Sequence, residues 1–476
     1  MDPMTDPGAA VPPPGSGSKV VIEPRRERHT RHWVVAAGAA CMMTAAQFVF
    51  LSPSILNPPL ARTLGVGLSE VMIFNSLMGV SGVLAMTFLA PALFRKIGVR
   101  AAVIVGGLWM AAATGAVAFV TNVAMLYVLG FAAGLSFGVA TTMAGSMLVN
   151  TWFESSRGTV LGGVFAVSGI GGIGAGLVLP ALVSASGWQS GFLLIAALQV
   201  VLVVLPGLFL IRSTPAQVGL LPFGARAEPP NSPTTPAHLP GVPARMAFRT
   251  PHFAALAVAI VLFSSVLAVQ QHFAPMMVER GVALPVAGTL LSLMALASVF
   301  SNIMLGMLND RRGTLLAVLV ALACQALSMG AYIFSAGFLP LAASTVLFAM
   351  GAAVPGILVP IVVMQLFGMR DYPAILGPAM AMVPAGISIG SPLWGIAYDR
   401  TGSYTVALAM AAAVTVVAAV LLVWTIRSAP TLRTRVEREL SQTYDTTRLA
   451  DTDATKKPAA CLKGAVAQVA GRPAPR

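Results

Sequence analysis

Charge is the first thing this chain is short of. Asp, Glu, Lys and Arg together make up 9% of its 476 residues, against about 25% in an ordinary soluble domain. So few charges cannot cover a water-facing surface, which sets aside soluble enzymes. Nucleic-acid binders are set aside too, because the basic residues fall between apolar runs and in the tails. Cysteine is nearly absent. Cys41, Cys324 and Cys461 lie far apart, which excludes a disulfide framework and a cysteine metal centre. No phosphate-cradling G-x-x-x-x-G-K-S/T loop is present, so work driven by ATP has no support. Paired acids, a His/Asp cluster or a nucleophile with its base at membrane depth are also missing, so no enzyme is expected, and no metal or cofactor.

What the chain has instead is apolar length. Hydrophobic residues make up 57% of it, and a membrane-crossing helix needs about 20 mostly apolar residues in a row. Twelve such runs lie near 33–56, 70–93, 99–120, 123–149, 159–184, 188–211, 252–276, 285–308, 313–336, 339–366, 374–398 and 404–426. The first is too long for the core of a cleavable signal and reads as a retained span. The expected fold is an all-α membrane protein of twelve transmembrane helices. Its organisation divides into a disordered N-tail (1–32), a six-helix bundle (33–211), a Pro-rich flexible linker (212–251), a second six-helix bundle (252–426) and a polar C-tail (427–476).

Basic residues set the expected orientation, because loops rich in Lys and Arg stay in the cytoplasm. With the N-terminus inside, eleven lie on cytoplasmic connections and three, Arg62, Arg280 and Arg400, on external ones. Both tails and the linker are then cytoplasmic, and the protein sits in the cytoplasmic membrane.

The chain also repeats. "PALFRKIGVR" (91–100) has the layout of "GMLNDRRGTL" (306–315), and "WFESSRGTVLGG" (152–163) resembles "LFGMRDYPAILGP" (366–378). Gly98 and Gly313, Gly162 and Gly377, and Gly187 and Gly402 are each 215 apart. Two six-span halves in one orientation with a site between them is a transporter architecture.

"GMLNDRRG" (306–313) matches the G-x-L-x-D-R-x-G signature of the major facilitator superfamily at Gly306, Leu308, Asp310, Arg311 and Gly313. "WFESSRGTVLGGVFAVSGIGG", "QQHFAPMMVERGVALPVAGTLLSLMALAS" and "GIAYDRTGSY" resemble segments of its monocarboxylate-transporter and oxalate/formate-antiporter group. The resemblance implies that Asp310, with Arg311 beside it, faces the start of the fifth span near Arg157 when the cytoplasmic side closes. A carboxylate is favoured there by the partial positive charge of a helix N-terminus. In the first-half copy the signs are exchanged: Arg95 and Lys96 are expected near Asp371. The group's arginine late in the eighth span is replaced here by Asn302, with Ser298 one turn earlier. The usual anion hook is therefore missing.

Polar residues inside spans are costly and are site candidates by default. The substrate-binding candidates are Gln47, Gln270, Gln271, His272, Ser298, Asn302 and Trp394, on spans the resemblance places around a central cavity. The gating candidates are Arg95, Lys96, Arg157, Asp310, Arg311 and Asp371. Glycines four apart (Gly130, Gly134 and Gly138; Gly172 and Gly176; Gly386 and Gly390) are read as helix-packing contacts. His272 is the one titratable candidate for proton coupling. The expected function is a secondary transporter that moves a small organic solute, a monocarboxylate among the options, and works as a monomer. Export of a hydrophobic compound, or binding without transport, are the alternatives.

Overall fold

The computed structural model describes residues 27–154, 157–224, 241–334, 337–368 and 370–429. The expectations for residues 1–26, for the centre of the linker and for 430–476 lie outside the described residues. Among the described residues every element is helical, and two isolated bridges, Phe153 to Phe223 and Gly241 to Gly368, are the sole strand-like pairings.

Each of the twelve expected apolar runs overlaps helix among the described residues, several with a break or a frayed end. Nine described helices are long and apolar enough to cross a membrane. Two of these, Leu68–Phe119 (52 residues) and Thr159–Phe209 (51 residues), are too long for one crossing. At 1.5 Å per residue each would run roughly 78 Å, against about 30 Å of hydrocarbon. They turn at Gly98 and Gly187, both with φ of 79°, so each covers two expected spans. The tenth expected span is in two pieces, Phe338–Ala352 and Val354–Phe367. The break comes just before Pro355, whose ring cannot donate to the helix ladder.

The first span breaks in the same way. Helix Glu27–Leu51 gives way at Ser52 to Pro53–Leu64. At the corresponding place in the second half, Pro251–Leu267 tightens into a 3-10 turn, Ala268–His272, before Phe273–Glu279.

Phe88, Val128, Phe300 and Val420 are 63–70% exposed. Many large apolar side chains left this bare would aggregate in water but are solvated by lipid.

The glycine series pack as expected. A Cβ on Gly130 would lie 2.8 Å from the Phe74 carbonyl, and one on Gly134 2.7 Å from Met78 Cα, so the fourth span presses on the second. A Cβ on Gly390 would meet Ser265 Cα at 2.7 Å, and Gly386 is equally tight against Val261 and Ser264, so the eleventh presses on the seventh.

Two departures concern the ends of the bundles. The first helix begins at Glu27, six residues ahead of the expected span. The reason is His32, which is buried and whose Nε2 lies 3.0 Å from the Leu221 carbonyl, with Trp152, Phe153 and Phe223 edge-on around its ring. The linker's described ends are also held. Phe223 N–H donates to Trp152 O (2.8 Å) in the first half, and Val242 N–H donates to Phe367 O (2.7 Å) in the second.

Candidate functional site

Three seams join the two halves, and each is closed at one end of the bundle. On the fifth and eighth spans (157–186 and Leu284–Arg312), Gly288 and Ser292 lie against Gly176, Ala295 against Gly172, and Val299 against Gly169. The contacting positions advance by four and three residues in turn, the spacing of a two-helix seam. The second and eleventh spans (Leu68 onward and Tyr372–Thr401) close likewise. Ser69 lies against Gly395, Ser76 Oγ donates to Ser388 O at 2.5 Å, and Gly79 abuts Ser388. On the first and seventh, Ala274 N–H donates to Ser54 Oγ at 2.7 Å.

All of these contacts lie at mid-bundle or toward the end that carries Asp399. Toward the opposite end, which carries Asp310, the same seams run on into open space at the described glycines. A Cβ on Gly162, Gly306 or Gly377 would meet nothing within 4 Å. Asn302, on the same stripe of the eighth span as Val299 and Gly306, is exposed. The buried apolar core agrees with this. One cluster runs unbroken from Leu51, Leu56 and Met72 into Phe273, Met277 and Leu290 of the second half. The Asp310 end of the first half has its own cluster around Met42, Trp152 and Val203. Among the described residues the seams are therefore closed toward the Asp399 end and leave a cleft between the halves toward the Asp310 end.

The substrate-binding candidates divide into two groups in this arrangement. Gln47 and Ser298 are half-buried and Asn302 is exposed. Ser298 spends its proton on the Met294 carbonyl (2.8 Å), as hydroxyls inside helices do. Gln270, Gln271, His272 and Trp394 are buried, and the last three brace the seventh span against the eleventh. Ser391 Oγ donates to Gln271 Oε1 at 2.5 Å, and Trp394 Nε1–H donates to Ser265 O at 2.7 Å. His272 Nε2 lies 2.9 Å from the Ser391 carbonyl. A carbonyl only accepts, so that nitrogen carries the proton, and in the neutral ring Nδ1 accepts from the Tyr404 hydroxyl at 3.4 Å.

The gating candidates lie at the open end. Arg95, Lys96, Asp310 and Arg311 are exposed. The Asp310 carboxylate accepts from its neighbour Asn309 at 3.1 Å. Arg157 opens the fifth-span helix. Asp371 Oδ2 accepts from Ala244 N–H at 2.8 Å, tying the end of the linker to the second half.

Sequence reasoning missed the polar contacts across the closed end. Asp399 Oδ2 accepts from Ser69 N–H at 2.9 Å, between residues 330 apart. The available signal was the spacing of Gly395, Asp399, Arg400 and Gly402, which repeats that of Gly306, Asp310, Arg311 and Gly313. It also missed Gln365, whose Nε2 donates to Thr314 Oγ1 at 2.6 Å. No group of three or more His, Cys, Asp or Glu able to hold a metal occurs among the described residues.

A family model described as Major Facilitator Superfamily matches residues 35–362 and 272–469. Human (Homo sapiens) monocarboxylate transporter 11 is 24% identical over 387 residues, covering 78% of this chain and 78% of that protein. Among solved structures, the nucleoside transporter NupG superposes with a TM-score of 0.64 at 15% identity, covering 82% of this chain and 98% of that one. A bacterial homologue of the human lysosomal transporter Spinster, described as inward-facing and unoccupied, superposes with a TM-score of 0.58 at 12% identity, covering 87% and 96%.

Proposed function

The chain belongs to the Major Facilitator Superfamily, and from that membership we propose that it is a secondary active transporter that carries a small organic solute through the cytoplasmic membrane by alternating access. The observation that carries this reading is the half-closed set of seams: shut from Asp399 to Val299 and Gly169, open from there to Asp310. A solute can enter such a cleft from one side only. Rocking the halves about the middle of the seams would exchange the open side.

The direction of that opening follows from the excess of Lys and Arg on the connections and tails at the Asp310 end, which favours a cytoplasmic placement. Both tails and the linker are then cytoplasmic, and the conformation described is open to the inside. The chain is twelve passes in two bundles, 33–211 and 252–426, and acts as a monomer.

The site lies between Gln47 on the first span and Ser298 and Asn302 on the eighth. Gln270, Gln271, His272 and Trp394 join it from above when the other side opens. These groups offer amides and hydroxyls, and no Lys or Arg lies among them. An anion transferred from water to such a site is poorly compensated, since neutral donors bind it more weakly than charged ones. The substrate is therefore neutral, or largely apolar with a single weakly held carboxylate. A larger monocarboxylate fits this, in keeping with the human relative named above. His272 couples movement to a proton. It is sealed in this state and lies on the side that would open in the other.

Uptake into vesicles with imposed pH gradients, screened across oxalate, lactate, larger aromatic and aliphatic acids and neutral apolar compounds, tests the reading. Saturable uptake of a larger acid is expected. Tight oxalate transport overturns the substrate assignment. Outward movement of apolar compounds alone makes the protein an exporter, and binding without movement makes it a sensor.

A further inference from the structure

The octapeptides "GMLNDRRG" (306–313) and "GIAYDRTG" (395–402) share glycine, aspartate, arginine and glycine at the same four places. They lie at opposite ends of the bundle, one ending the eighth span and one ending the eleventh. The second is engaged, and its geometry shows what the pattern does. A Cβ on Gly395 would lie 2.8 Å from Ser69 Cα and 3.1 Å from Ser69 N, so glycine there lets the start of the second span come down onto the eleventh. One turn later Asp399 Oδ2 accepts from Ser69 N–H at 2.9 Å. The second-span helix Leu68–Leu84 has Gly67 as its N-cap and no side-chain cap of its own. One of its open donors, Ser69 N–H, is met by a carboxylate from the other half of the protein.

The register of the other seam gives the first copy the same target. Val299 lies against Gly169 in an antiparallel pair. Seven residues further along each helix, Gly306 comes opposite Gly162, both now in open space. Four residues beyond, Asp310 comes opposite Gly158. Gly158 is the second residue of the helix that begins at Arg157, as Ser69 is the second residue of the helix that begins at Leu68.

We infer that Gly395 and Asp399 form an external clasp that holds the Asp399 end shut by capping the second span, as the counterpart of the contact that the family resemblance implies between Asp310 and the start of the fifth span. Only one can be closed at a time, because the seams share a midpoint about which the halves rock. Asp399 thereby sets the resting balance between the two states. This rests on the transport reading only for its consequence; the balance itself is a property of the fold.

The test is a distance measurement on the full chain in lipid nanodiscs. Spin labels go on cysteines replacing Arg62 and Thr405, both exposed at the Asp399 end and on opposite halves, with Cys41, Cys324 and Cys461 replaced by Ala. Asp399→Asn keeps the shape and weakens the cap, and is expected to raise the long-distance population about fivefold. Asp310→Asn is expected to lower it, and the double variant to return to within about twofold of the starting balance, since both states lose the same cap. Gly395→Ala keeps the carboxylate but blocks the approach, and is expected to act like Asp399→Asn. An unchanged distribution in both Asp399→Asn and Gly395→Ala overturns the clasp, and so does a double variant no closer to the starting balance than Asp399→Asn alone. Uptake in the same preparations separates the two ideas. Shifted distances with no solute moved leave the clasp standing and sink the transporter, whereas uptake with unshifted distances does the reverse.

Discussion

Gly98 and Gly313 stand 215 residues apart and share one backbone conformation, φ 79° and ψ 161° at the first, φ 88° and ψ 162° at the second. Each lies at a sharp turn out of a helix of the bundle. The region is open to glycine and closed to residues with a Cβ. Gly98→Ala and Gly313→Ala are each expected to cost about 1–3 kcal/mol, read as a lowered melting temperature in detergent, with effects that add because the sites are distant. Unshifted melting in both would remove the strain account.

Other glycines differ in kind. Gly386→Ala must push Cβ into the Val261 carbonyl and Ser264, so it is expected to destabilise. Gly306→Ala and Gly162→Ala meet open space and should leave melting within about 0.5 kcal/mol of wild type. Equal losses at all three positions would contradict the packing described.

Larger side chains at the open positions test the rocking. Gly306→Leu and Gly162→Leu should fold, since nothing stands where the new atoms go. They should wedge the Asp310 end apart and slow uptake at least about tenfold. Normal turnover in either variant would mean that this part of the seam never closes.

The orientation is checked by labelling. A cysteine at Thr234, in the linker, should be inaccessible to an impermeant reagent added to intact cells and reactive once the cells are opened. Efficient labelling from outside would reverse the topology.

For His272, glutamine can still donate to the Ser391 carbonyl, so His272→Gln should keep the fold. It should abolish accumulation driven by a pH gradient while exchange continues. Accumulation that persists removes His272 from the coupling step.

Asn302→Arg places a cation on an exposed face of the cleft, where it costs little to fold. Uptake of small anions such as oxalate is expected to rise about tenfold or more over wild type, the gain of one charge-assisted pair. No gain would place the solute away from the eighth span.

The helices, their membrane-crossing length and the close-packed glycines were all legible in the chain. Each depends on local quantities: about 20 apolar residues in a row, or a small residue every fourth position. The proposed sense of the topology rests on the same local kind of signal, where Lys and Arg fall. Tertiary structure alone decided which ends of the seams meet, and so which polar groups are buried between helices and which are left bare. Gln271, His272 and Trp394 read from the chain like Asn302, as polar groups in apolar helices. Packing turned those three into braces between the seventh and eleventh spans and left Asn302 bare. The clasp divided in the same way, with Asp399 seated on Ser69 and Asp310 facing solvent although their octapeptides match. The physical reason is that these contacts join segments far apart in the chain, such as Ser69 and Asp399, 330 residues apart, so no single stretch of sequence contains them.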